Sequence, residues 1–184
     1  MPKFRRPTRV VVIIYPYNDL EEQVCVVAYG YPKPVITQID PLRLANVPVP
    51  KIDEKLLESW RGNIDVLPRR MIRYEPFRKV GNAFRIERLI DILSLMKRAA
   101  NDHGAELKAV IAGAEVHFTD LKKRKMRDAR FQDIKRRSEA AGIPALNLVD
   151  FMEAESAAAE FLPDHAHWNA AGARKYAEII AKFL

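Results

Sequence analysis

The 184-residue chain is 48% hydrophobic and carries one cysteine, which suits one globular domain with a real core and excludes a disulfide-built scaffold. No apolar run approaches the ~20 residues of a membrane helix, and Met1-Pro2-Lys3-Phe4-Arg5-Arg6 leads into a predicted strand and not a signal peptide; with no targeting signal in the sequence, localisation is open, cytoplasmic by default. The formal charge of +7 is local, because residues 122–137 hold nine Lys and Arg against two Asp and the remainder is neutral.

The first predicted element is the unbroken β-branched run Val10-Val11-Val12-Ile13-Ile14, which reads as a strand buried on both faces of a parallel sheet. It stops at Pro16 and presents Asn18-Asp19. In open α/β sheets the ligand crevice lies beyond the carboxyl ends of the strands, so the Asn18 amide is placed to donate to a developing oxyanion; an ordinary Asx turn closing a strand is the simpler alternative. Five prolines between residues 29 and 50 then restrict the backbone to an extended excursion. A short helix from Ile52 to Trp60 and a basic loop from Arg69 to Lys79 follow. Ile86, Leu89, Ile90, Leu93, Met96 and Ala100 mark one face of a helix ending near Gly104, and strand Leu107–Ala112 comes next. The basic helix ends at Gly142, Ala145–Val149 is the last strand, and Ala173, Tyr176, Ala177, Ile180, Phe183 and Leu184 recur at helical spacing behind Asn169, a helix-capping residue. No internal repeat or low-complexity segment interrupts this order.

Chemistry concentrates just before that last helix, where Asp164 precedes His167 by three residues. A carboxylate and an imidazole held that close can form the orienter and base halves of a hydrolytic triad, although a satisfied structural contact at a helix start uses the same pair. His103, His117, His165 and His167 have no recognised ligand spacing, which disfavours metal catalysis, and no cofactor motif accompanies them. Cys25 reads as a small buried hydrophobe. The 122–137 patch is a solvated helix face or a surface that draws in an anion such as a glycan, phospholipid or nucleic acid; lacking a nucleic-acid module and aromatic interleaving beyond Phe131, it makes nucleic acid the weaker partner.

The blocks Tyr15-Pro16-Tyr17-Asn18-Asp19 and Asp164-His165-Ala166-His167-Trp168-Asn169-Ala170-Ala171-Gly172, in this order, resemble the third and fifth blocks of the SGNH (GDSL-type) hydrolase family. Pro16 stands where that family usually has Gly, and the Pro-rich stretch resembles the insertion many bacterial members carry. The resemblance implies an α/β, flavodoxin-like three-layer α/β/α sandwich with a parallel sheet, spanning residues 1–184 as one partial domain with an insert at about 29–80. It implies hydrolysis or transfer of a small-molecule or glycan acyl ester, such as an O-acetyl or lipid ester. His167 would take the proton from a serine hydroxyl, Asp164 would hold the imidazole tautomer, and Asn18 would donate to the oxyanion.

The family's Gly-Asp-Ser nucleophile block has no counterpart here. Only nine residues precede Val10, too few for a βα unit, so the N-terminal strands of the family are expected to be missing. None of Ser59, Ser94, Ser138 and Ser156 lies in a strand-to-turn context that exposes a nucleophile. Two readings result: an ester hydrolase or acyl-transfer domain inactive as given, or a non-catalytic remnant that binds through its basic helix. On either, the strand Val10 to Ile14 is left as an exposed edge for self-association or for a partner.

Overall fold

The compact unit that carries the Asp-x-x-His block is built on three parallel strands, one from each of three separate stretches of the chain. The computed structural model describes residues 7–28, 31–50, 71–115, 121–152, 159–162 and 167–184. In chain order the elements are β1 (Arg9–Ile14), α1 (Asp19–Glu22), β2 (Cys25–Ala28), β3 (Tyr31–Pro32), β4 (Val35–Gln38), β5 (Arg43–Ala45), β6 (Ile72–Arg73), α2 (Asn82–Asp102), β7 (Glu106–Ile111), α3 (Leu121–Ala140), β8 (Ala145–Asn147) and α4 (Ala170–Phe183). Short 3-10 turns occupy Glu75–Phe77 and Leu148–Phe151. The chain divides into two compact units, one made of Met1–Pro16 with Leu93–Leu184 and the other of Tyr17–Ile92.

In the first unit the sheet order is β1-β7-β8, both pairings parallel. Strands joined by long helical crossovers in this way make the fold α/β. Register pairs Val11 with Lys108 and Ile13 with Val110 on one face, and Val12 with Ala109 and Ile14 with Ile111 on the other. Lys108 Nζ donates to the main-chain carbonyl of Phe183 at 3.1 Å and lies 5.1 Å from the Phe183 ring centroid, so the last turn of α4 covers the Lys108 face. The core gathers Leu107, Ala109, Val110 and Ile111 from β7 with Phe131, Ile134, Ile143, Leu148 and Tyr176.

The β1 strand departs from expectation. It is not buried on both faces, since Val11 is 36% and Ile13 54% exposed while Ile14 is buried. Among the described residues β1 pairs with β7 alone, and an apolar run by itself does not distinguish a central strand from an edge one. The last strand is also shorter than expected. The Asn147 side chain accepts from Val149 N–H and donates to Asp150, turning the chain into a 3-10 turn at Leu148.

Both long helices before the last strands end where glycine permits a left-handed residue. Gly104 has φ +76° and Gly142 φ +69°, and Ala105 N–H and Ile143 N–H return to the Ala100 and Ser138 carbonyls, which satisfies helix-end acceptors. At α3 the Ala141 carbonyl also accepts from Lys97 Nζ at 2.9 Å.

The second unit contains the Pro-rich stretch, and its extended backbone pairs into strands. A three-stranded sheet has the order β3-β2-β6, with both pairings antiparallel, and β4 with β5 forms a hairpin. Pro32 lies on an edge strand, where its missing donor does no harm. Asn46 takes φ +58° and its Nδ2 donates to the Val26 and Lys33 carbonyls at 3.2 and 2.8 Å, which ties the hairpin to β2 and to the residue after β3. The stretch expected as a basic loop instead forms β6 and a 3-10 turn. The reason is ion pairing and ring packing: Arg73 pairs with Glu21 at 2.8 Å and Phe77 packs on Phe84. Arg85, buried, also pairs with Glu21. The Arg88 guanidinium lies 5.0 Å from the Phe77 and 5.7 Å from the Phe84 ring centroids, and burial lowers its pKa. The helix expected at Ile52–Trp60 lies outside the described residues.

Candidate functional site

The approach to His167 is fixed by a dense set of main-chain bonds. Phe161 and Trp168 form an antiparallel bridge, and Leu162 N–H donates to the His167 carbonyl at 2.8 Å. Asn169 then caps α4 as its sequence position predicts, its Oδ1 accepting from Ala171 N–H at 2.9 Å and Gly172 N–H at 3.0 Å. The same side chain donates from Nδ2 to the carbonyls of Ala159 and Phe161, while its own N–H donates to the Glu160 carbonyl. Gly172 is required by close approach: a Cβ there would meet the Glu160 carbonyl oxygen at 2.2 Å.

Below this loop lies a buried polar cluster that sequence reading missed. The Glu160 carboxylate accepts from the Tyr176 hydroxyl and, at 2.6 Å, from Lys175 Nζ. Burial first, and then the hydrogen bond and charge of Glu160, push the Tyr176 hydroxyl pKa well above the usual tyrosine range. The Trp168 ring stacks on Tyr176 with centroids 4.8 Å apart. The only sequence signal was an acid beside Phe161 and Leu162 and a tyrosine on the apolar face of the last helix.

The sequence-predicted residues fall as follows. His167 is exposed and stands at the end of this fastened segment. Asp164 lies outside the described residues, as do Ser59, Ser156, His117 and His165. Asn18 belongs to the second unit; it is exposed, and its carbonyl accepts from Glu21 and Glu22 N–H, so it opens α1, without a cap bond from its side chain. The neighbouring Asp19 lines a cleft of about 260 Å³ with Glu22, Gln23 and Lys33. Cys25 is fully buried and free, its thiol donates to the Glu21 carbonyl, and burial raises its pKa, the setting of an inert thiol. Ser138 is buried inside α3, so its hydroxyl is inaccessible as a nucleophile. Among the described residues no group of His, Cys, Asp and Glu is arranged to hold a metal ion, and no helix is long and apolar enough to cross a membrane.

The family model described as an SGNH hydrolase-like domain, acetyltransferase AlgX, matches residues 75–184, more than half of the chain. The chain belongs to this SGNH hydrolase-like family. No curated protein and no solved structure matches it. The SGNH hydrolase-like match runs from the turn before α2 to the end of α4 and so contains Asp164, His167, Asn169 and Gly172. Strand β1 and Asn18 lie before it.

Proposed function

We propose that this chain supplies the histidine side of an SGNH-type ester hydrolase or acyl-transfer site. His167 is the base, Asp164 the orienter of its imidazole, and Asn18 a donor to the tetrahedral oxyanion. The observation that carries this reading is the fastening of His167 at the mouth of α4 within the matched region, because a general base works from a rigid support. The substrate is a small-molecule or glycan acyl ester, an acetyl ester foremost, in keeping with the acetyltransferase in the family's description. With Ser138 buried and, among the described residues, no serine at a strand-to-turn site, the chain by itself is read as nearly inert; loss of the nucleophile removes the covalent route.

The fold we propose is the three-layer sandwich of one partial domain, with an insert at about 29–80. The packing of the α4 end over Lys108 supports one helical layer. The monotonic order β1-β7-β8 supports the other, since right-handed crossovers put α2 and α3 on one common face, and the Lys97 bond to the Ala141 carbonyl fits that. The exposed Val11 and Ile13 on β1 support association of this edge with a second strand, from another copy or a partner. A second reading, a non-catalytic module binding through its basic helix, is favoured by the exposure of Lys125, Met126 and Arg136 on α3.

Two measurements test the main reading. The purified chain should hydrolyse an activated acetyl ester no faster than a His167→Ala variant; turnover lost in that variant would reveal a nucleophile within the chain. Proton NMR should place a far-downfield ring N–H resonance for His167 that disappears in Asp164→Asn. Its presence unchanged in that variant would remove Asp164 from the role of orienter.

A further inference from the structure

Glu160 carries a carboxylate that no step of the proposed chemistry uses, yet it is buried and doubly paired. Its two oxygens take the Tyr176 hydroxyl and the Lys175 ammonium, so the desolvation cost of the charge is offset by two charge-assisted bonds. Its main chain is equally engaged. The carbonyl accepts from Asn169 N–H and is overlain by Gly172, and its neighbours Ala159 and Phe161 accept from Asn169 Nδ2. Tyr176 touches both strands of this arrangement, with the hydroxyl on Glu160 and the ring against Trp168, the residue directly after His167. Helix α4, the 159–162 segment and the 167–169 segment therefore meet at one buried acid–phenol pair.

We infer that Glu160 and Tyr176 form a positioning latch for His167, holding the segment that carries it in register with the first turns of α4. Neither residue touches substrate; both act through Trp168 and Asn169. This assignment rests on the reading of His167 as the base, and it adds that the base is set by a carboxylate other than its own orienter. Buried and satisfied, such a pair specifies one arrangement where an apolar contact would allow the loop to slide.

The test uses the full chain with Tyr176→Phe, which removes the hydroxyl and keeps the ring, Lys175→Met, which removes the other bond at a half-buried position, and two variants of Glu160. Amide hydrogen exchange at Leu162 and Asn169 is followed beside that of Ala109 and Val110 in the sheet, together with the ring resonances of His167. The latch predicts exchange at Leu162 and Asn169 at least tenfold faster in Tyr176→Phe, displaced His167 ring resonances, unchanged protection at Ala109 and Val110, and a smaller effect of the same kind in Lys175→Met. Glu160→Gln, which keeps an acceptor for the phenol, should restore part of the protection lost in an alanine variant of the same residue. Unchanged Leu162, Asn169 and His167 signals overturn the proposal. So does loss of protection at Ala109 and Val110 to the same extent, which would make the pair a support of the whole fold. These signals are read without substrate, so the latch and the base reading fail on different measurements.

Discussion

Gly172 lies so close against Glu160 that a side-chain carbon at position 172 would stand 2.2 Å from the Glu160 carbonyl oxygen and 3.1 Å from its carbon. The obstacle is backbone, which cannot rotate aside as a side chain can. Gly172→Ala should therefore displace the first turn of α4 from the 159–162 segment, at about 2 kcal/mol, the usual scale for overpacking a tight contact. A drop of roughly 5 °C in the melting temperature checks it, and an unchanged melting curve would mean that the backbone gives way at this contact without cost.

Asn169 is expected to be more sensitive than an ordinary cap. Substitution by alanine removes the acceptor for Ala171 and Gly172 N–H and the donors to Ala159 and Phe161 at once. The cap alone is worth about 1 kcal/mol, and the two donor bonds add roughly 1 kcal/mol more. Asn169→Asp separates them, since it retains the cap and gives up the donors. Urea denaturation of the three forms should rank Asn above Asp above Ala.

Asp133 gives a pH dependence of defined sign. Burial alone would raise its carboxyl, but hydrogen bonds from Arg137 and Arg136 prevail and hold it below the usual aspartate range. A folded-state pKa below the unfolded one contributes stability at neutral pH that is lost as pH falls through the folded value. Asp133→Asn should thus lower stability at pH 7 by about 0.5 kcal/mol, given the exposure of the arginines. The difference should vanish once pH falls below the lowered folded value of the Asp133 carboxyl; one that persists there would assign the effect to packing.

Among the described residues β1 has β7 as its one strand neighbour, which makes the proposed self-association testable at a named side chain. Ile13 is more exposed than Val11, so Ile13→Lys adds a charge at an exposed position of the strand without entering the core, the device natural edge strands use. Light scattering at low micromolar concentration should show association of the chain and a monodisperse Ile13→Lys variant. A monodisperse parent chain would remove the edge as an interface.

Legibility in the sequence followed the range of the interactions. Helix ends at Gly104 and Gly142, the Asn169 cap and the parallel strands were readable because each is decided within a few residues. The hydrophobic run of β1 was misread on burial because edge or centre depends on neighbours that lie far away in sequence. The pairing of Glu160 with Tyr176 is not legible for the same reason, the two being sixteen positions apart and joined only when the chain folds back on α4. Nothing in the local sequence marks Arg88, because its place beside Phe77 and Phe84 is set only by folding.

Asn46 combines two duties that substitution usually separates. Its left-handed backbone is one that glycine would take at less cost, while its amide spans from the hairpin to the Val26 and Lys33 carbonyls. Glycine would keep the direction of the chain and release the two carbonyls; glutamine would keep the amide on a longer arm and strain the turn. Aspartate would keep the backbone preference and present an acceptor to two acceptors. The position is thus closed to its nearest chemical neighbours, and the tie between the β4–β5 hairpin and β2 depends on a single carboxamide.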